Sequence, residues 1–130
     1  MNRVIQARVD QNIRTIAVEH VPEGSLAMSF IRSRVGRSDG HSYFECVYNA
    51  FLNMPQIVIV CDEVGKLEGM EISLFIKTDF IAGDVLICSV KEINGEFDLH
   101  GMNDEELEEV LERLPDMLIR TNAGKANRWN

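Results

Sequence analysis

Residues 85–99 read Val85-Leu86-Ile87-Cys88-Ser89-Val90-Lys91-Glu92-Ile93-Asn94-Gly95-Glu96-Phe97-Asp98-Leu99. A strand over Val85–Val90, introduced by Gly83-Asp84, meets a second strand over Glu96–Leu99 across Asn94-Gly95. Asn-Gly readily takes positive φ at both central turn residues, as a two-residue hairpin loop requires. Working outward, Ile57-Val58-Ile59-Val60-Cys61 has the continuous apolar character of a buried strand, and Ile72–Ile76 forms another apolar run.

The amino-terminal segment 3–20 admits two readings. Ile5, Ala7 and Val9 alternate before the turn-like Asp10-Gln11-Asn12, and Ile16 and Val18 alternate after it, which makes a β-hairpin. Ile5, Val9, Ile13 and Ile16 also fall on one helical stripe. The β-branched residues in both arms favour strands. After Pro22-Glu23-Gly24, Ser25 is positioned to cap a helix near 25–35 whose buried spacing is Leu26, Ala27, Phe30, Ile31 and Val35, with Gly36 closing it. Segment 42–52 fits a helix through Phe44, Val47, Tyr48, Phe51 and Leu52, or a strand Tyr43–Tyr48 followed by a loop; the strand is preferred.

A second helix is expected over 103–114. Asn103 and Glu106 form a capping box, Met102 can staple onto Leu107, and Leu107, Val110, Leu111 and Leu114 make the buried stripe. Pro115 is expected to end or kink it. These elements compose a single α+β domain over 1–120: a mostly antiparallel sheet of about six strands with two helices, followed by a flexible tail at 121–130.

Composition narrows the function. The 130-residue chain carries a formal charge of −8, which argues against nonspecific binding to nucleic acid or anionic membranes. Residues 1–37 hold six arginines against three acids, so the remainder carries −11 and the charge is bipolar along the sequence. No apolar run approaches the ~20 residues of a membrane span, and no basic stretch leading into an apolar one opens the chain, so neither anchor nor leader is expected. Cys46, Cys61 and Cys88 sit among apolar neighbours without CxxC spacing. Buried thiols in a reducing, cytoplasmic setting follow, with no zinc or redox motif.

Chemistry-bearing residues are scattered. No nucleophile elbow, Walker loop, dinucleotide fingerprint or HExxH motif is present, so no cofactor or metal is implied. The sharpest anion-binding candidates are Arg32, Arg34 and Arg37, whose planar guanidinium groups match phosphate. Glu45 breaks the apolar run Tyr43–Val47 and, on a strand, must face water, a cation or a ligand. Tyr43 shares its face and joins the candidate ligand set. Asp98 and His100 share one strand face, and Asp62-Glu63 follows a buried strand; with Glu45, the carboxylates Asp62 and Glu63 and the imidazole of His100 are the groups an acid–base or metal-dependent hydrolase would use. The acidic face of the last helix, Glu105, Glu108, Glu109 and Glu112, reads as a solvated surface.

From residue 35 onward the order of features resembles a family of small domains of unknown function encoded by phages, plasmids and some bacterial genomes. The resemblance lies in Val35-Gly36, the strand Tyr43-Phe44-Glu45-Cys46-Val47, the segment Asp62-Glu63-Val64-Gly65-Lys66-Leu67-Glu68-Gly69, then Phe80-Ile81-Ala82-Gly83-Asp84-Val85-Leu86-Ile87 and the helix start Asn103-Asp104-Glu105-Glu106-Leu107. The chain departs from that pattern at Met70-Glu71-Ile72-Ser73 and in a longer stretch at Asn49–Gln56. The resemblance implies a mobile-element setting without assigning catalytic residues. The expectation is a small non-enzymatic binding protein that inhibits a host defence or regulatory protein, or sequesters a phosphate-bearing small molecule. Two alternatives stand beside it: a dimeric secretion-chaperone-like protein and the hydrolase above. Edge strands make a homo-oligomer compatible with each.

Overall fold

Two strands, Ile57–Asp62 with its apolar run Ile57–Cys61 and Val85–Ile93 with its apolar run Val85–Cys88, form the middle of the sheet in the computed structural model, which describes residues 2–11, 13–35, 44–63, 71–76 and 79–119. The elements in chain order are β1 (Asn2–Asp10), β2 (Ile13–Val21), α1 (Met28–Arg34), β3 (Phe44–Tyr48), β4 (Ile57–Asp62), β5 (Ile72–Ile76), β6 (Asp79–Ala82), β7 (Val85–Ile93), β8 (Glu96–His100) and α2 (Asp104–Ile119). The main sheet runs β2-β1-β7-β4-β3 with β8 also on β7, and every pairing is antiparallel. The α+β class and the hairpin reading of residues 3–20 hold.

β4 and β7 read as continuous apolar runs because both faces of the sheet are covered. Strand alternation sends Ile5, Ala7, Ile57, Ile59, Cys61, Val85 and Ile87 to one face, under Leu107, Val110 and Leu114 of α2 and Leu74 and Ile81 of the β5–β6 hairpin. The intervening residues Val4, Val58, Val60, Leu86 and Cys88 face the other way, under Ile31 of α1 and Val35. A strand sandwiched like this has no solvent side to fill with polar residues.

β1 and β8 share one edge of β7. β1 pairs with Val85–Ile87 and β8 with Ser89–Ile93, while β4 takes the opposite edge. The junction is closed by Arg3 and Met102, whose backbones exchange N–H···O bonds of 3.0 and 2.6 Å. The β7–β8 turn is as its dipeptide requires, with φ of 53° at Asn94 and 83° at Gly95.

Two features depart from the sequence expectation. Ser25 does not cap α1: the helix begins at Met28 with Ala27 in the cap position and no side-chain cap. Backbone pairing takes precedence there, since Ser25 bridges His100 and the Leu26 N–H donates to the Leu99 carbonyl at 2.8 Å, holding 25–26 extended. Pro115 does not end α2, which continues to Ile119. Proline removes the donor to the carbonyl of Leu111, and both residues stand on the exposed face, where solvent can serve that carbonyl. The main sheet has the expected six strands, and Asp79–Ala82 pairs with β5 as a separate two-stranded sheet. Gly36, Arg37, His41, Tyr43, the segment 64–70 and the tail 121–130, with the expectations placed on them, lie outside the described residues.

The capping box at α2 forms as expected. The Glu106 N–H donates to Asn103 Oδ1 at 2.8 Å, and the Asn103 N–H donates to Glu106 Oε1 at 3.0 Å. Asn103→Ala is therefore expected to cost about 1 kcal/mol in a urea melt, within the range of lost N-caps. An unchanged melt would show that α2 does not depend on this cap.

Candidate functional site

Register places the chemistry at one end of the sheet. β3 pairs with β4 through Phe44↔Asp62, Glu45↔Cys61 and Val47↔Ile59, so Glu45 and Val47 share the face that carries Cys61. The β5–β6 hairpin packs over that face. Between hairpin and sheet lies a cleft of about 440 Å³ whose lining includes Glu45, Asp62, Glu63 and Asp79, with Val47 and Phe80 among its apolar walls. Asp62 is only 5% exposed, whereas Glu45, Glu63 and Asp79 are exposed. Glu45, Glu63 and Asp79 stand around this concavity on a chain of net charge −8, whereas the Asp62 side chain, paired with Phe44, alternates to the opposite face.

Of the groups considered for acid–base chemistry, Glu45 and Glu63 are exposed at this cleft, while Asp62 lies in its wall with its side chain buried. His100 does not join them. It sits on β8, 7% exposed, opposite Ser89 on the edge of β7 away from β4, with its Nε2 3.3 Å from Asp98 Oδ2. The Ser25 hydroxyl donates to the same Asp98 oxygen. Nucleophile activation needs the imidazole between serine and carboxylate; here the carboxylate stands in the middle. Among the described residues no group of three or more His, Cys, Asp and Glu side chains is placed to hold a metal ion.

The arginine cluster is divided. Arg32 is exposed on α1. Arg34 is engaged from β2, its Nε and one terminal nitrogen donating to the two carboxylate oxygens of Glu19 at 2.7 Å each. Its guanidinium also stacks 4.7 Å over the Phe30 ring. A phosphate would have to displace that fork-to-fork pair. Arg37 and Tyr43 lie outside the described residues.

The Arg34 hydrogen bond holds the Glu19 carboxyl below its ordinary value of 4.5. A carboxyl whose folded pKa is depressed contributes stability above its unfolded value and loses it as pH falls through the folded one. The stability difference between wild type and Glu19→Gln is therefore expected to be full at pH 7 and to shrink below about pH 4.5, read by urea melts. A difference independent of pH would show that the pair contributes nothing through charge.

Neither Cys46 nor Cys88 is an activated nucleophile. Burial pushes Cys88 up to about 12, and burial also raises Cys46, against the lowering effect of its hydrogen bond with Tyr48. Cys61 is buried on the cleft wall. Sequence reasoning reached Glu45, Asp62 and Glu63 but missed Asp79, whose only mark is its place before Phe80-Ile81-Ala82, a run too short to declare itself a strand.

No curated protein matches the chain, and no solved structure does. A family model does, and Glu45, Asp62, Glu63 and Asp79 fall within the matched residues, whereas Glu19, Arg32 and Arg34 precede them. The chain belongs to the family of the domain of unknown function DUF3846, matched over residues 38–115.

Proposed function

We propose that this domain is a non-enzymatic binding protein that captures a cationic group of its partner in the cleft beside β3. The observation that carries this reading is the placing of Glu45, Glu63 and Asp79 at one concavity of about 440 Å³. Its negative potential favours a protonated amine or a guanidinium, and its apolar walls suit the aliphatic stem that carries such a group. Sequestration of a phosphate-bearing molecule is the weaker form of a binding role, because Glu19 already occupies Arg34. In the setting implied by the family resemblance, the domain is encoded by a phage or another mobile element, and the partner is a host protein whose function it blocks.

The test is a thermal-shift series with spermidine, inorganic phosphate and ATP on the full chain. Spermidine is expected to raise Tm, and Glu45→Gln/Glu63→Gln to abolish the rise, while phosphate and ATP leave Tm unchanged. A rise with phosphate or ATP that Arg32→Ala removes would replace this reading with the arginine one. No response to spermidine would overturn cation capture.

A further inference from the structure

Resting on the cation-capture reading, we infer that the partner presents its cation on an extended segment that adds as a strand to the outer edge of β3. β3 ends the strand order of the main sheet, and among the described residues only β4 pairs with it. An edge strand displays a row of backbone N–H and C=O groups ready to bond another chain. This edge borders the cleft, since Glu45, Cys46 and Val47 are all part of its lining. Backbone pairing and cation capture are therefore available to one ligand at one place.

Alternation along β3 specifies the ligand. Glu45 and Val47 face the cleft, while Phe44 and Cys46 point to the opposite face and pack against its apolar core. Tyr48 follows on that second face, 48% exposed. A strand laid beside β3 has its own side chains alternating in step. The residue opposite Glu45 points toward the carboxylates and is best a lysine or arginine. Its neighbours along the strand lie beside Phe44, Cys46 and Tyr48 and are best apolar. The occupant is thus a segment in which basic and apolar residues alternate. The net charge of −8 favours its approach and disfavours an acidic strand, including an equally acidic second copy of this chain.

Fluorescence anisotropy with a labelled six-residue peptide alternating valine and lysine tests this, using the full chain. Two controls carry the decision. One is the same peptide with alternate backbone amides N-methylated; the other holds three lysines followed by three valines, with identical charge and composition. The alternating peptide is expected to bind at least tenfold tighter than either control, and Glu45→Gln to weaken it threefold or more. Equal binding of all three peptides would overturn strand addition and leave cation capture standing. No peptide binding, with the spermidine shift intact, would do the same. Loss of both responses would overturn both statements.

Discussion

Ile87→Ala is expected to lower the unfolding free energy by about 2–5 kcal/mol, the range for emptying a buried isoleucine site. Ile87 is fully buried and pairs with Ile5 on one side and Ile59 on the other, beneath the face that α2 covers. Neighbours fixed in two strands cannot close around the missing atoms, so the cavity persists. Against a total stability of about 5–15 kcal/mol, this is a large share. With a urea slope of about 1–3 kcal/mol/M, the midpoint should fall by roughly 1 M or more. Ile93→Ala on the same strand is the control: Ile93 is 48% exposed, and its loss should stay within about 0.5 kcal/mol. Equal losses at the two positions would mean that β7 is not buried as described.

Gly101→Ala is the second large effect, and it acts by crowding. A Cβ there would lie 2.5 Å from Val21 Cγ2, 2.8 Å from Asn2 Cβ and 3.2 Å from the Arg3 backbone nitrogen. The last two belong to a strand held by the reciprocal Arg3–Met102 backbone bonds, so little can move aside. Overpacking of this kind costs about 1–3 kcal/mol. Val21→Ala removes the nearest atom, so Gly101→Ala should cost less in that background than in wild type. Additive losses would show that Val21 is not the obstacle.

What could be read from the residues divides along a physical line. Local chemistry was legible: Asn94-Gly95 wrote its own turn, Asn103 and Glu106 their own cap, and the apolar runs of β4 and β7 declared strands buried on both sides. Competition between elements was not. Ser25 has a good cap side chain, yet its backbone is claimed by β8, whose proximity no local pattern records. Pro115 carries a breaking signal that an exposed helix face tolerates. The site follows the same division. Glu45 stood out as a charge in an apolar run, and Asp62-Glu63 as carboxylates at a strand end, but which of them meets Asp79 at the cleft depends on strand register and on how the β5–β6 hairpin packs on the sheet. Arg34 looked available because Glu19, fifteen residues earlier, becomes its neighbour only when β2 and α1 meet.

The shared edge of β7 has a consequence for synthesis. Ile5 finds Ile87 and Arg3 finds Met102 only after roughly eighty to a hundred further residues have been made. At about 5–20 residues per second, the leading hairpin waits several seconds on the ribosome for the strand that receives it. Through that interval its apolar side chains lack their partners on β7, and nascent-chain length governs when the domain becomes resistant to protease.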